Sequence, residues 1–139
     1  MSARPPAIAL LAAAAGGLVA CGQQTPPDVM LITRTGSIPG ARLSLRVTDD
    51  GHASCNRRPL VEITSAQLIQ ARALASDLAK AARHHVHLRP GPQSILTYTV
   101  RLEQGTLRFS DDSRGQGKPM FQLALLTRQI AQGPCHLAR

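Results

Sequence analysis

The sequence predicts an α+β domain in which one antiparallel sheet carries two helices packed on one face. Two pairs of short strands and two helical segments follow one another in the order β-β-α-β-β-α. Glycine-containing turns join the strands of each pair, which favours antiparallel hairpins. We expect one such domain to span residues 29–139.

The first strand pair comprises residues 29–35 and 41–48. The first strand, VMLITRT, is mostly apolar and β-branched, and the second, ARLSLRVT, alternates strictly between apolar and polar side chains. Because successive side chains of a strand point to opposite faces, the apolar set belongs in the core and the polar set on the open face of the sheet. The polar set consists of Arg42, Ser44, Arg46 and Thr48. The turn GSIPG, residues 36–40, joins the strands, and a short extended piece through Cys55 follows the next turn.

The first helix has a clear N-terminal signature. Thr64 and Gln67 have the spacing of a capping box, in which each residue's side chain bonds the other's backbone N–H. Apolar side chains then recur at helical spacing as far as Arg83. The segment HHVHLRPGP, residues 84–92, ends the helix with two prolines and a glycine.

The second strand pair comprises residues 94–102 and 106–110, joined by the turn EQG. Alternation in SILTYTVRL and TLRFS directs their apolar residues to the core and Arg101 and Arg108 to the open face. Pro119 suits the first turn of a second helix, whose apolar residues recur at helical spacing and which ends near a Gly-Pro pair.

The N-terminus has the pattern of a secretory signal peptide over residues 1–20. Arg4 precedes an apolar run, residues 7–20, that is shorter than the ~20 residues a membrane-spanning helix needs. The run ends in LVAC, residues 18–21, which resembles the bacterial lipobox. That resemblance implies that a diacylglyceryl group is attached to the Cys21 thiol and that the chain is cleaved between Ala20 and Cys21. We expect anchoring at the extracytoplasmic face of the cell membrane; an ordinary secreted protein is the alternative.

Export also bears on the two remaining cysteines, Cys55 and Cys135. In an oxidising compartment pairing is the default, so we predict a disulfide between them. Metal ligation and a catalytic thiol are the alternatives, and neither cysteine lies in a CxxC motif.

Gly, Pro and polar residues dominate residues 21–28, which we interpret as a tether between membrane and domain.

The charge and the aromatic content narrow the choice of partners. The formal net charge is +8, and the chain has one Tyr, two Phe and no Trp. Modules that stack nucleic-acid bases on aromatic side chains have little to work with here, so we expect no nucleic-acid partner. The basic open face suits either docking of an anionic envelope component or ordinary solvation. Its arginines are Arg42, Arg46, Arg101 and Arg108.

Three segments carry a family resemblance: TRTGSIPGARLSLRV, YTVRLEQGTLRFSDD and PMFQLALLTRQI. Together they resemble the emfourin-like family of small bacterial inhibitors of thermolysin-like metalloproteases. The resemblance spans roughly residues 29–131. The family turn tends to be Gly-Gly, and this chain has GSIPG there. The resemblance implies a contact segment at the first turn, because an inhibitor must present a pre-shaped segment to a cleft. The candidate contact residues are Arg34, Gly36, Ser37, Ile38, Pro39 and Gly40.

An enzyme or metal-binding function has weaker support. Of His84, His85 and His87 in HHVH, His85 and His87 would point the same way in an extended segment and could offer two metal ligands. Zinc sites usually need three or four protein ligands, and no carboxylate or Cys lies close in sequence. No serine lies in a GxSxG context, and the carboxylates show no paired acid–base spacing. We therefore expect no catalysis, no metal and no cofactor.

Two functions remain open. The first is a membrane-tethered, non-catalytic binding module, in its sharpest form an inhibitor of an extracellular thermolysin-like protease. The alternative is a structural or accessory cell-envelope lipoprotein that binds an anionic partner through the basic sheet face.

Overall fold

Alternating apolar residues build a six-stranded antiparallel sheet in the computed structural model, which describes residue 1 and residues 27–138. In chain order the elements are β1 (Asp28–Gly36), β2 (Leu43–Thr48), β3 (His52–Cys55), β4 (Val61–Glu62), α1 (Ser65–Arg83), β5 (Leu96–Leu102), β6 (Gly105–Ser110) and α2 (Lys118–Gln132). The strands lie in the order β4-β3-β2-β1-β5-β6, and the two helices pack on one face of the sheet. This is the predicted α+β fold.

The predicted signal peptide, apart from residue 1, lies outside the described residues, as do Cys21 and most of the tether. Within residues 27–138, neither helix is long and apolar enough to cross a bilayer.

The core lies between the sheet and the two helices. Strand residues that alternate toward the helices are almost fully buried, among them Ile32, Leu45 and Phe109. Leu74 of α1 and Leu126 of α2 belong to the same apolar cluster. Burial of such side chains is the main favourable contribution to folding, at roughly 1.5–3 kcal/mol for each large aliphatic residue.

Local signals in the sequence set both helix starts. The Thr64 hydroxyl accepts from the backbone N–H of Gln67 at 3.2 Å, and the Gln67 side chain accepts from the backbone N–H of Thr64 at 3.0 Å. The predicted capping box is therefore confirmed. In α2, Pro119 lies in the first turn and Gly133 caps the C-terminus, also as predicted.

Cys55 and Cys135 form the predicted disulfide, with their Cα atoms 6.1 Å apart. Cys55 ends β3, and Cys135 follows α2 by three residues. The bridge fastens the C-terminal tail to one half of the sheet.

The prediction for Thr48 was wrong. Alternation assigned it to the open face, but its side chain is fully buried. A register shift in β1 after Asp28 pairs Asp28 with Thr48 and Met30 with Val47, which breaks the alternation there. The Thr48 hydroxyl lies 2.6 Å from a carboxylate oxygen of Asp50, so a hydrogen bond compensates its burial.

Segment 84–95 covers the edge of the sheet at β6. The N–H of Leu88 donates to the carbonyl of Arg108, and the N–H of Arg108 donates to the carbonyl of Val86, both at 2.9 Å. The Asp112 carboxylate then accepts from the backbone N–H groups of Gly91 and Gln93, each at 2.8 Å. The two bonds to Arg108 satisfy part of an edge that would otherwise expose unpaired backbone groups, and the Asp112 bonds hold the covering segment in place.

Candidate functional site

The turn between β1 and β2 is the most exposed of the predicted contact elements. We call residues 36–40 the contact turn. All five residues are exposed, and Ile38 retains 50% of its accessible surface despite its apolar side chain. A single exposed apolar side chain is common on folded proteins, so the exposure of Ile38 does not by itself mark a binding surface.

The Arg34 side chain braces the contact turn through hydrogen bonds to backbone carbonyls at its C-terminal end. Its Nε donates to the carbonyl of Ala41 at 2.9 Å, and its Nη2 donates to the carbonyl of Gly40 at 3.1 Å. The turn also closes on itself, because the N–H of Ala41 donates to the carbonyl of Ile38. Gly40 has φ 75°, a conformation that glycine adopts without strain. Arg34 therefore supports the turn and does not project from it with the other predicted residues.

A second brace comes from the start of β5. The N–H of Ser37 donates to the carbonyl of Ile95 at 3.2 Å. Gly36 lies so close that a Cβ there would be 2.3 Å from the same carbonyl oxygen. The Asp111 carboxylate in turn accepts from the N–H of Ile95 at 3.1 Å and from that of Leu96 at 3.0 Å. The contact turn thus rests on a segment that is itself fixed.

A cleft of about 250 Å³ separates the contact turn from the C-terminal end of α2. Its walls are mainly apolar, and Arg34 and Arg128 add two positive charges. Burial raises the pKa of the nearby Tyr98 phenol, and the positive charge of Arg34 partly opposes this shift. The ring of Tyr98 stacks on Phe109 with centroids 5.1 Å apart.

One of the four arginines of the predicted basic face is paired with a carboxylate. Arg46 and Arg101 lie on the open face on either side of Leu31, and Arg108 lies on β6. Arg42 is exposed just before β2. The Arg46 Nε lies 2.5 Å from a carboxylate oxygen of Asp28, so an ion pair balances this charge locally.

Two arginines that the prediction omitted lie beside the open face. Arg57 and Arg58, in the loop between β3 and β4, line a shallow groove together with Arg46. The sequence signal was the pair of arginines in NRRP directly after a strand. Alternation could not include them, because they lie outside any strand.

The three histidines of HHVH lie between the end of α1 and the edge of the sheet. His84 caps the C-terminus of α1, His85 has φ 49°, and His87 bridges to Arg108 at the sheet edge. In the part of the chain that the structure describes, no three His, Cys, Asp or Glu side chains gather into a set that could hold a metal ion.

The contact turn is fixed at both ends, has an apolar side chain at its tip and borders a cleft. No protein-family model matches the chain, and no curated protein or solved structure matches it. A segment whose shape is fixed before binding loses little conformational entropy when a partner arrives. The contact turn meets this condition, since backbone and side-chain hydrogen bonds hold both of its ends.

Proposed function

We propose that the chain is an exported lipoprotein, anchored through Cys21, whose domain is a non-catalytic binding module that contacts its partner with the contact turn. One observation carries the proposal: the turn is exposed along its length and braced by Arg34 on one side and by Ile95 on the other. The LVAC motif supports the anchor.

The direction of β1 agrees with this role. From Cys21 to Asp28 an extended chain reaches at most about 25 Å, which keeps the start of β1 close to the membrane. β1 then runs through Gly36, a span of about 26 Å at the usual rise per residue of a strand. The contact turn therefore lies at the end of β1 farthest along the chain from the proposed anchor.

The sharpest form of the proposal is inhibition of a thermolysin-like metalloprotease, which the resemblance to the emfourin-like family implies. An inhibitor must occupy the cleft of the protease without being cleaved, and a rigid segment resists cleavage better than a mobile one. Pro39 fixes one backbone dihedral within the contact turn, and the two braces fix its ends.

The test of inhibition uses the mature chain, residues 21–139, against a thermolysin-like protease. Inhibition at near-stoichiometric ratios without digestion is expected. Replacing Ser37, Ile38 and Pro39 by glycine should weaken inhibition while the fold persists, because these residues lie outside the core. The matched control replaces Glu103 and Gln104 by glycine in the exposed β5–β6 turn, at the opposite end of the sheet.

Equal inhibition by the two variants would reject the contact turn as the inhibitory element. Digestion of the wild-type chain, or no inhibition at micromolar concentration, would reject the inhibitor function and favour an envelope-binding role.

The anchor has its own test. Cys21→Ser should abolish metabolic labelling with a fatty acid and leave the precursor uncleaved before residue 21. A wild-type protein that appears in the medium without lipid would disprove the proposed anchor but would leave the binding role of the turn open.

A further inference from the structure

The loop between β3 and β4 carries two arginines, and local hydrogen bonds hold its backbone. We call residues 56–60 the arginine loop. It forms one wall of a groove of about 650 Å³, whose floor is the open face of the sheet. The strands contribute Leu31, Thr33, Ser44, Arg46 and Ser54 to the groove, and the loop contributes Arg57, Arg58, Pro59 and Leu60.

The backbone of the arginine loop adopts a costly conformation. Asn56 has φ 54°, a value that asparagine tolerates, and Arg57 has φ 61°, in a region that an arginine rarely occupies. Local hydrogen bonds hold it there. The N–H of Asn56 donates to the carbonyl of Ser44 at 2.7 Å, and the N–H of Ser44 donates to the Asn56 side chain at 2.9 Å. Backbone strain that is compensated in this way often marks a functional segment.

Further bonds fix the part of the loop that carries the second arginine. The Ser54 hydroxyl donates to the carbonyl of Arg58 at 2.6 Å, and the N–H of Arg58 donates to the carbonyl of Cys55 at 3.1 Å. Cys55 itself is tied to Cys135 by the disulfide on the opposite side of the strand. The two guanidinium groups are therefore presented from a fixed base.

Among the described residues, no carboxylate pairs with these two charges. Both residues are exposed, and within residues 27–138 neither Arg57 nor Arg58 has a carboxylate within ion-pair distance. Arg101 and Arg108 add positive charge farther along the same face. Next to the arginines, Leu60 keeps 47% of its accessible surface. Within the described residues, the two guanidinium groups have no ion-pair partner and lie next to an exposed leucine. Such a surface matches a partner that has negative charges at its surface and an apolar layer below them.

We propose that the arginine loop and its groove dock the domain on a bilayer of anionic phospholipids. Guanidinium groups bind phosphate oxygens through paired N–H donors, and Leu60 would enter the interfacial region between headgroups. The short tether from Cys21, at most about 25 Å, favours this occupant over an acidic protein because it confines the domain to the membrane surface. The arginine loop adjoins Ser44, which pairs with Thr33 about 17 Å beyond Asp28, so the loop reaches the headgroups when the open face lies along the bilayer. This last step rests on the proposed anchor.

The test measures binding of the mature chain, residues 21–139 with Cys21→Ser, to vesicles by flotation. Vesicles of phosphatidylcholine with phosphatidylglycerol should bind it, and vesicles of phosphatidylcholine alone should not. Arg57→Gln with Arg58→Gln should lower the affinity about thirtyfold, as expected for two basic residues at an anionic surface. The matched control, Lys80→Gln with Arg83→Gln, removes the same charge from α1 on the other face of the sheet and should change the affinity less than about threefold.

Leu60→Ser tests the apolar contact at unchanged charge. It should lower the affinity several-fold, and added salt should weaken what binding remains, because salt screens the charges and not the apolar contact. Unchanged unfolding temperatures would show that each variant keeps its fold.

Equal losses in the arginine-loop variant and the control would overturn the proposal in favour of a general charge effect. Absence of binding to phosphatidylglycerol vesicles would overturn it in favour of another partner, such as an acidic protein. Because Cys21→Ser removes any acyl chain from the assay, failure of the anchor would leave these results unchanged.

Discussion

The Nε of Arg34 donates a 2.9 Å hydrogen bond to the carbonyl of Ala41 and so spans the turn between β1 and β2. The same guanidinium reaches Gly40 through its Nη2 at 3.1 Å. The side chain lies on the helix side of the sheet with Met30 and Ile32, which alternate with it along β1. A residue predicted to contact a partner thus holds in place the residues beside it.

Removal of this brace should loosen the contact turn without unfolding the domain. Arg34→Met keeps the apolar stem of the side chain and removes both hydrogen bonds, which should cost roughly 1 kcal/mol of the free energy of unfolding. Amide hydrogen exchange at Ala41, whose N–H closes the turn on Ile38, should accelerate. Arg42→Met is the control, since Arg42 is exposed and forms no side-chain hydrogen bond among those described. Equal exchange in both variants would contradict the bracing role.

Local signals were predictable from the sequence, and contacts between residues distant along the chain were mostly not; the disulfide is the exception, because the cysteine count alone predicted it. The capping box at Thr64 involves residues three positions apart, so the sequence alone contains the whole motif. Strand β4 has two residues, too few for any alternation to register. The role of Asp111 in holding Ile95 depends on residues 16 positions apart that meet only because β5 and β6 pair.

The candidate site likewise combines features that the sequence predicts with features that it does not. The exposure of residues 36–40 followed from turn composition, whereas the support from Arg34 and Ile95 required the register of three strands. Arg57 and Arg58 were visible as a charge pair, but their position above the open face depends on the left-handed backbone of Asn56 and Arg57.

Reduction of the disulfide should destabilise the domain strongly. The Cys55–Cys135 bridge joins residues 80 positions apart, and loop-closure entropy predicts a loss of about 4 kcal/mol when a bridge of this span is removed. The midpoint of chemical unfolding should fall on addition of reductant. A double variant, Cys55→Ala with Cys135→Ala, should start at the lower midpoint and show no response to reductant. An unchanged wild-type midpoint after complete reduction would contradict this prediction.

Tyr98 makes the domain sensitive to alkaline pH. Burial raises the pKa of its phenol in the folded state above the unfolded value of about 10. The folded state therefore holds this proton more tightly, and the resulting stability is fully present below about pH 10 and is lost as the pH rises through the folded pKa. Tyr98→Phe should remove this part of the alkaline loss while keeping the stacking on Phe109.

The same residue supplies its own probe, because Tyr98 is the only tyrosine and the chain has no Trp. Its ionisation can be followed by absorbance without interference. Arg34→Met should raise the pKa of Tyr98 further, since the positive charge of Arg34 favours the phenolate. A lower pKa in that variant would contradict the arrangement of the two groups.

Asp50 gives the opposite pH dependence. Its hydrogen bond from the Thr48 hydroxyl, with a further contribution from His52, lowers the pKa of the carboxyl below its ordinary value of about 3.9. The stability that it provides is present above that value and is lost as the pH falls through the lower folded pKa. Asp50→Asn should therefore reduce the unfolding temperature at neutral pH, and the difference from wild type should vanish in acid. A difference that persists unchanged at pH 2 would contradict an ionic origin.

A methyl group at Gly36 should displace the contact turn while leaving most of the sheet in place. A Cβ at this position would be 2.3 Å from the carbonyl oxygen of Ile95 and 2.9 Å from the Leu96 side chain. Because the first of these is backbone that Asp111 holds in place, the turn must shift, and overpacking of this kind costs typically 1–3 kcal/mol. We expect Gly36→Ala to break the bond from Ser37 to Ile95 and to accelerate amide exchange at Ser37.

Gly117→Ala is the matched control, since the nearest atom to its added Cβ is 3.5 Å away, an ordinary contact. If the contact turn binds the partner in its present shape, Gly36→Ala should weaken binding more than its loss of stability explains, and Gly117→Ala should not. Full binding by Gly36→Ala, with exchange at Ser37 accelerated, would mean that the partner tolerates a mobile turn. The shape fixed by Arg34 and Ile95 would then serve the stability of the fold and not recognition.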